Sequence, residues 1–104
     1  MDQVKKSEGI KVRVKLWGAI SEILPAFEGK GEVPVHFSGE KVKHLIFHLF
    51  SDIDPEKKGM IFDDMSKISP DLNVILNGRI VSEASRFNRH LRGGDLVELI
   101  LGSG

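Results

Sequence analysis

Hydrophobic and polar positions alternate over residues 10–17. Ile10, Val12, Val14 and Leu16 share one parity, and Lys11, Arg13 and Lys15 the other. A period of two over this length predicts a β-strand with one buried face. Trp17 then sets a large apolar ring on the charged side. A polar stretch with Pro25, Gly29 and Gly31 follows, after which Val33, Val35 and Phe37 alternate again. Pro34 lacks an amide donor, so this second strand is expected at an edge or with its donor side outward. Val42, Leu45, Ile46 and Leu49 recur at helical spacing, flanked by Phe50. They predict an amphipathic helix over 41–52 packed on the sheet, with Ser38 or Gly39 near its start. No favoured capping residue directly precedes Lys41.

Residues 55–69 predict a short helical turn and an irregular loop, because Gly59 weakens a helix and Ile61-Phe62 is only a short apolar pair. Residues 73–81 give the clearest local signal, an Asn77-Gly78 pair between the apolar runs Val74-Ile75-Leu76 and Ile80-Val81. A type I′ turn needs positive φ at both central positions, so Asn-Gly there predicts a β-hairpin. Gly93-Gly94-Asp95 turns the chain into a last strand over 96–101. The first and last strands are apolar enough to lie centrally. The order strand, strand, helix, hairpin, strand predicts an α+β fold, a mixed sheet with one main helix across one face.

A length of 104 residues fits one domain over 1–104, with flexible ends at 1–9 and 102–104. The 40% apolar content implies one small core. Fifteen basic residues balance fifteen acidic ones, which argues against a general polyanion binder, so no nucleic-acid partner is expected. With no cysteine, disulfides, thiol nucleophiles and cysteine metal sites are excluded. Residues 1–9 are polar and charged, without the apolar region of a signal peptide, and no run is long enough to span a bilayer. A soluble cytoplasmic protein without a membrane partner is the expectation.

Strand parity points to a surface. If Val97, Leu99 and Leu101 face the helix, then Leu96, Glu98 and Ile100 face outward. The same parity sends Ile75 outward, and a two-residue turn places Ile80 beside it. Trp17, Ile75, Ile80 and Ile100 are therefore predicted to form one exposed apolar patch, an aromatic centre with aliphatic neighbours that suits a protein interface. The plainer alternative makes Trp17 an ordinary sheet residue covered by a loop.

Other chemistry is weaker. His44 and His48 stand four residues apart, a spacing that can chelate a metal, but no glutamate adjoins the first as in a zinc protease. Both are predicted to project opposite the apolar stripe into solvent, and no metal site is expected; His36 and His90 add no spacing signal. Arg86, Arg89, His90 and Arg92 form a local basic cluster, predicted to be a solvated loop, with contact to an acidic partner groove or weak RNA contact as the alternative. Asp63, Asp64 and Asp71 lack a repeated ligand pattern and are assigned to solvation and turn formation. The run His90-Leu91-Arg92-Gly93-Gly94 resembles the ubiquitin ending, yet cleavage after Gly94 would remove the final strand, so these glycines are assigned to a turn. No nucleophile–base set or phosphate cradle stands out, and the chain is not expected to be an enzyme.

The segments KVRVKLWGAISEIL, NVILNGRIV and LRGGDLVELILGSG, in this order and with a glycine-terminated tail, resemble the MoaD/ThiS family of ubiquitin-like sulfur carriers. The likeness is greatest to MoaD, the small subunit of molybdopterin synthase, and runs from Ile10 to Gly104. It implies a ubiquitin-like β-grasp and a chemistry centred on Gly104. The Gly104 carboxylate would be adenylated by an E1-like, ATP-using partner and converted to a thiocarboxylate, with Gly102 and Ser103 forming the tail. A MoaE-like synthase large subunit is the second implied partner. ATP is used by the activating enzyme, and no cofactor is implied on the chain itself. The sulfur acceptor would be a pterin or thiazole precursor. Related members instead form isopeptide bonds with lysines, and a non-conjugating interaction module is a third reading. Trp17 and Ile100 align with positions that dock MoaD onto its partners. The ending Gly102-Ser103-Gly104 replaces the usual Gly-Gly, and the last stretch is shorter than the family pattern by a reach of about 7 Å at full extension.

Overall fold

The computed structural model describes residues 9–63 and 67–102. Five strands make one mixed sheet: β1 Ile10–Leu16, β2 Val33–Phe37, β3 Leu72–Leu76, β4 Arg79–Val81 and β5 Leu96–Leu101. Their spatial order is β2-β1-β5-β3-β4. β1 and β5 run parallel, whereas the β1–β2, β3–β5 and β3–β4 pairs are antiparallel. β2 lies at an edge, as Pro34 requires, and the first and last strands are interior neighbours. The α+β β-grasp architecture expected from the sequence is therefore present.

The buried parity of each strand faces α1, Val42–Phe50. Val12, Val14, Val74, Val97 and Leu99 from the sheet meet Val42, Leu45, Ile46 and Phe50 from the helix, all at 1% exposure or less. Burying an aliphatic side chain of this size contributes roughly 1.5–3 kcal/mol, so this parity supplies most of the driving force for the fold. The helix is shorter than 41–52, and its weak sequence boundary has a physical replacement for a cap. The backbone N–H groups of Glu40 and Lys41 both donate to His44 Nδ1 at 3.1 Å. The third helical residue thus reaches back to the N-cap amide, the role that Glu or Gln plays in a capping box.

Two expectations are corrected. The stretch after Trp17 is not merely polar: the 3-10 turns Gly18–Glu22 and Pro25–Phe27 fold Ile20 and Phe27 into the core, and Ile23 is buried between them. The region after Pro55 holds a second helix, α2 Pro55–Ile61, rather than a single turn. Pro55 sits in its first turn, where its fixed φ suits a helix start, and fully buried Ile61 anchors its end. That anchorage outweighs the roughly 1 kcal/mol that an interior Gly59 costs.

The hairpin forms as the Asn-Gly pair predicts. Asn77 and Gly78 have φ of 50° and 87°, the signature of a type I′ turn. Asn77 also ties the turn to the start of β5. Its Nδ2 donates to Asp95 Oδ1 at 3.0 Å, and its Oδ1 accepts the Leu96 N–H at 2.9 Å. Asp95 Oδ2 in turn accepts the Arg92 N–H at 2.8 Å. Gly93-Gly94-Asp95 is thus a turn locked by side chains, and the glycines belong to it.

Candidate docking face and tail

The sheet face opposite α1 is built by the outward parity of the same strands. Register pairs Lys15 with Glu98, Ile75 with both Glu98 and Ile80, and Asn73 with Ile100. Trp17 continues β1 by one residue, its N–H donating to Leu99 O at 3.0 Å. That bond sets the indole on the outward side, beside β5. Trp17 is 40% exposed and Ile80 72%, while Ile75 and Ile100 are half-buried. All four predicted patch residues therefore share one face.

Lys15 and Glu98, whose pairing the sequence pattern does not show, complete this face. Trp17 Nε1 donates to Glu98 Oε1 at 2.8 Å, and Lys15 Nζ lies 4.1 Å from the indole centroid. The ring is pinned at its edge by a charge-assisted hydrogen bond and covered by a cation. The signal for both was available, since Lys15 and Glu98 carry the outward parity and opposite charge, but cross-strand register was needed to pair them.

Parallel pairing puts the C-terminal ends of β1 and β5 at one end of the sheet, so Trp17 and Gly102 emerge together there. The Gly102 N–H donates to Asp71 O at 2.8 Å. A Cβ at this position would collide with the side-chain amide of Asn73. Gly102 thus packs closely against β3, and a side chain there would require the Asn73 amide to swing away. Ser103 and Gly104 lie outside the described residues, as does Asp64.

The remaining candidates are distributed elsewhere. His44 Nδ1 is engaged as the helix cap, and the exposed His48 ring lies 6.3 Å from the Phe37 ring. Among the described residues no group of three or more potential ligands is placed to hold a metal. Asp63 closes a loop, its Oδ1 accepting the Lys67 N–H at 3.0 Å, and the Asp71 N–H donates to Ser69 Oγ at 3.1 Å. Arg86 departs from its predicted solvated role. It donates to Pro70 O at 2.7 Å, Leu72 O at 3.2 Å and Glu83 O at 3.4 Å, clamping the segment before β5 to the start of β3. Arg89 instead pairs with Glu83 at 2.8 Å.

With this geometry in view, solved structures offer close parallels. Small archaeal modifier protein 1 from Methanosarcina acetivorans superposes with a TM-score of 0.66 at 26% identity, over 91% of this chain and 96% of that one. The chain is a ubiquitin-like β-grasp protein. Molybdopterin converting factor subunit 1, as assigned in Pyrococcus furiosus, matches over 91% of this β-grasp chain and all of that one, with a TM-score of 0.62 and 23% identity. The BexX/CysO complex of Amycolatopsis orientalis contains a match at 18% identity and a TM-score of 0.60, over 89% of this chain and 97% of that one. These neighbours belong to the ubiquitin-like sulfur-carrier and modifier group of MoaD/ThiS type, the family that the sequence resembles. No family model matches the chain, and no curated protein does. Among the described residues, no helix is long and apolar enough to cross a membrane.

Proposed function

We propose that this β-grasp chain is a cytoplasmic, non-catalytic sulfur carrier of the MoaD type, working through the carboxylate of Gly104. An E1-like partner would bind ATP and the tail. The carboxylate attacks the α-phosphate, pyrophosphate leaves, and an acyl adenylate forms. Hydrosulfide then displaces AMP to leave a thiocarboxylate, which a MoaE-like large subunit would use to sulfurate a pterin precursor. The chain's own part is to dock and to present the tail.

The observation that carries this reading is the shared exit of Trp17 and Gly102 at one end of the parallel β1–β5 pair. A partner seated on the Trp17 face would receive the tail directly. An indole pre-oriented by Glu98 loses little further freedom on binding, which favours a docking anchor. The test is intact mass after incubation with an E1-like enzyme, ATP and a sulfur donor. Replacement of one oxygen by sulfur is the expected outcome; an unchanged mass, where a known carrier is converted, overturns the proposal.

A second reading, a modifier joined to lysines, is favoured by the likeness to small archaeal modifier protein 1. It requires higher-mass conjugates that disappear when Gly104 is removed.

A further inference from the structure

On the helix side of the sheet, α1 and the 3-10 turn Arg86–Asn88 border an open groove of about 620 Å³. Its apolar surface includes Phe47, Ile68 and Phe87. Phe47 is 41% exposed although it belongs to α1, and one ring face is already stacked on Phe62, with centroids 5.3 Å apart and planes 11° apart. Phe87 is likewise held, with the Arg86 guanidinium 4.5 Å from its centroid. Phe47 is thus held exposed and Phe87 half-buried along the groove, and together they form an apolar surface of the kind that marks an interaction site.

Charge indicates what covers them. Lys43, Lys67 and Arg86 line the groove, and no carboxylate among the described residues does. The three bonds of the Arg86 guanidinium go to neutral backbone carbonyls, and no carboxylate among the described residues forms an ion pair with it. Neither lysine ammonium is in an ion pair among the described residues. A chain with zero formal net charge thus concentrates three cations around one apolar groove. The arrangement matches an extended peptide bearing an apolar side chain flanked by carboxylates. Nucleic acid fits less well, because one face of each ring is already occupied and three cations make a short electrostatic track for a polyanion.

We propose that the groove between α1 and the 3-10 turn Arg86–Asn88 docks an acidic peptide segment of a partner protein, with Phe47 and Phe87 receiving its apolar side chain and Lys43, Lys67 and Arg86 its carboxylates. The groove and the Trp17 face lie on opposite sides of the sheet, so both can be engaged at once. The site stands independently of tail chemistry.

The test uses the full chain, 15N-labelled, and a short synthetic peptide with Leu-Phe between two Glu-Glu blocks. Saturable amide shifts are expected around Phe47, Ile68, Ala84 and Phe87, with none at Trp17. The double variant K43E/K67E, altered only in surface side chains, is expected to weaken binding about tenfold or more, and added salt to weaken binding to the unaltered chain. The K43E/K67E variant should keep its thermal midpoint. Four outcomes overturn the proposal: no saturable shifts, shifts confined to the Trp17 face, equal binding of a peptide with Lys-Lys blocks, or displacement of the peptide by an unstructured RNA oligonucleotide. Concentration-dependent self-association through the same residues would also overturn it, by assigning the groove to a second copy of the chain.

Discussion

Along β5 the two faces of the sheet are made by neighbouring residues. Leu99 is fully buried against α1, while Glu98, one residue earlier, holds the exposed indole of Trp17. The alternation that hides Val97 and Leu99 also displays Glu98 and Ile100. The inward face is continuous and apolar, so its residues answer to packing. The outward face mixes one pinned aromatic with aliphatic and charged side chains, so its residues answer to presentation. One strand serves both, which means that substitutions a single position apart should report on different properties.

The largest effect is expected on the inward side. Leu99→Ala removes a fully buried side chain from the central strand and should lower unfolding stability by about 2–5 kcal/mol, as large-to-small core changes do. Urea denaturation followed by far-UV circular dichroism measures it, and a loss below about 1 kcal/mol would show a core able to collapse around the gap. Trp17→Ala, on the other face, should leave the transition within about 1 kcal/mol of the unaltered chain while abolishing capture by a docking partner.

The contrast between faces was legible in the sequence because strand parity needs no tertiary information. Trp17, Ile75, Ile80 and Ile100 share one face by parity alone; the register places Ile75, Ile80 and Ile100 there, and the bond to Glu98 places the Trp17 indole. Asn77-Gly78 was equally plain, since few residue pairs tolerate two positive φ values. Irregular segments were harder to read. Ile20, Ile23 and Phe27 carry a recoverable near-helical spacing, but the glycines and prolines around them suggested a loop, and only burial against the sheet makes short 3-10 turns worthwhile. The capping role of His44 was hidden because histidine is not a favoured cap and acts here from inside the helix. The α1 groove was invisible for a related reason, being assembled from segments far apart in sequence. Of the tail, only Gly102 has a described setting, and the pairing of Gly102 with Asn73 depends on the β3–β5 register.

A smaller effect is expected where neither face is involved. Asp95 accepts from Asn77 Nδ2 and from the Arg92 N–H, and so joins the hairpin turn to the entry of β5. Asp95→Ala removes two exposed hydrogen bonds whose donors turn to water and should cost about 1–3 kcal/mol, at roughly 0.5–1.5 kcal/mol for each bond. Faster amide exchange at Asn77, Arg92 and Leu96, with slow exchange retained at Val14 and Val74, would place the damage at the junction. Uniform acceleration through the sheet would instead make the junction part of the global unfolding unit.

The smallest change tests whether the outward face is presented or merely exposed. Glu98→Ala removes the acceptor of the Trp17 indole N–H and the cross-strand partner of Lys15 and Ile75. A single hydrogen bond at a half-exposed site contributes about 0.5–1.5 kcal/mol, so the fold should be nearly unaffected. The ring itself should respond: freed from Glu98, the indole samples more rotamers, and its fluorescence anisotropy falls. Docking through the Trp17 face should weaken with it, because the ring must then be ordered at the moment of binding. Glu98→Gln keeps an oxygen acceptor and is expected to restore most of the anisotropy and the affinity. If Glu98→Ala leaves both unchanged, the indole is held by the strand alone, and the two faces of β5 differ in exposure without differing in preorganisation.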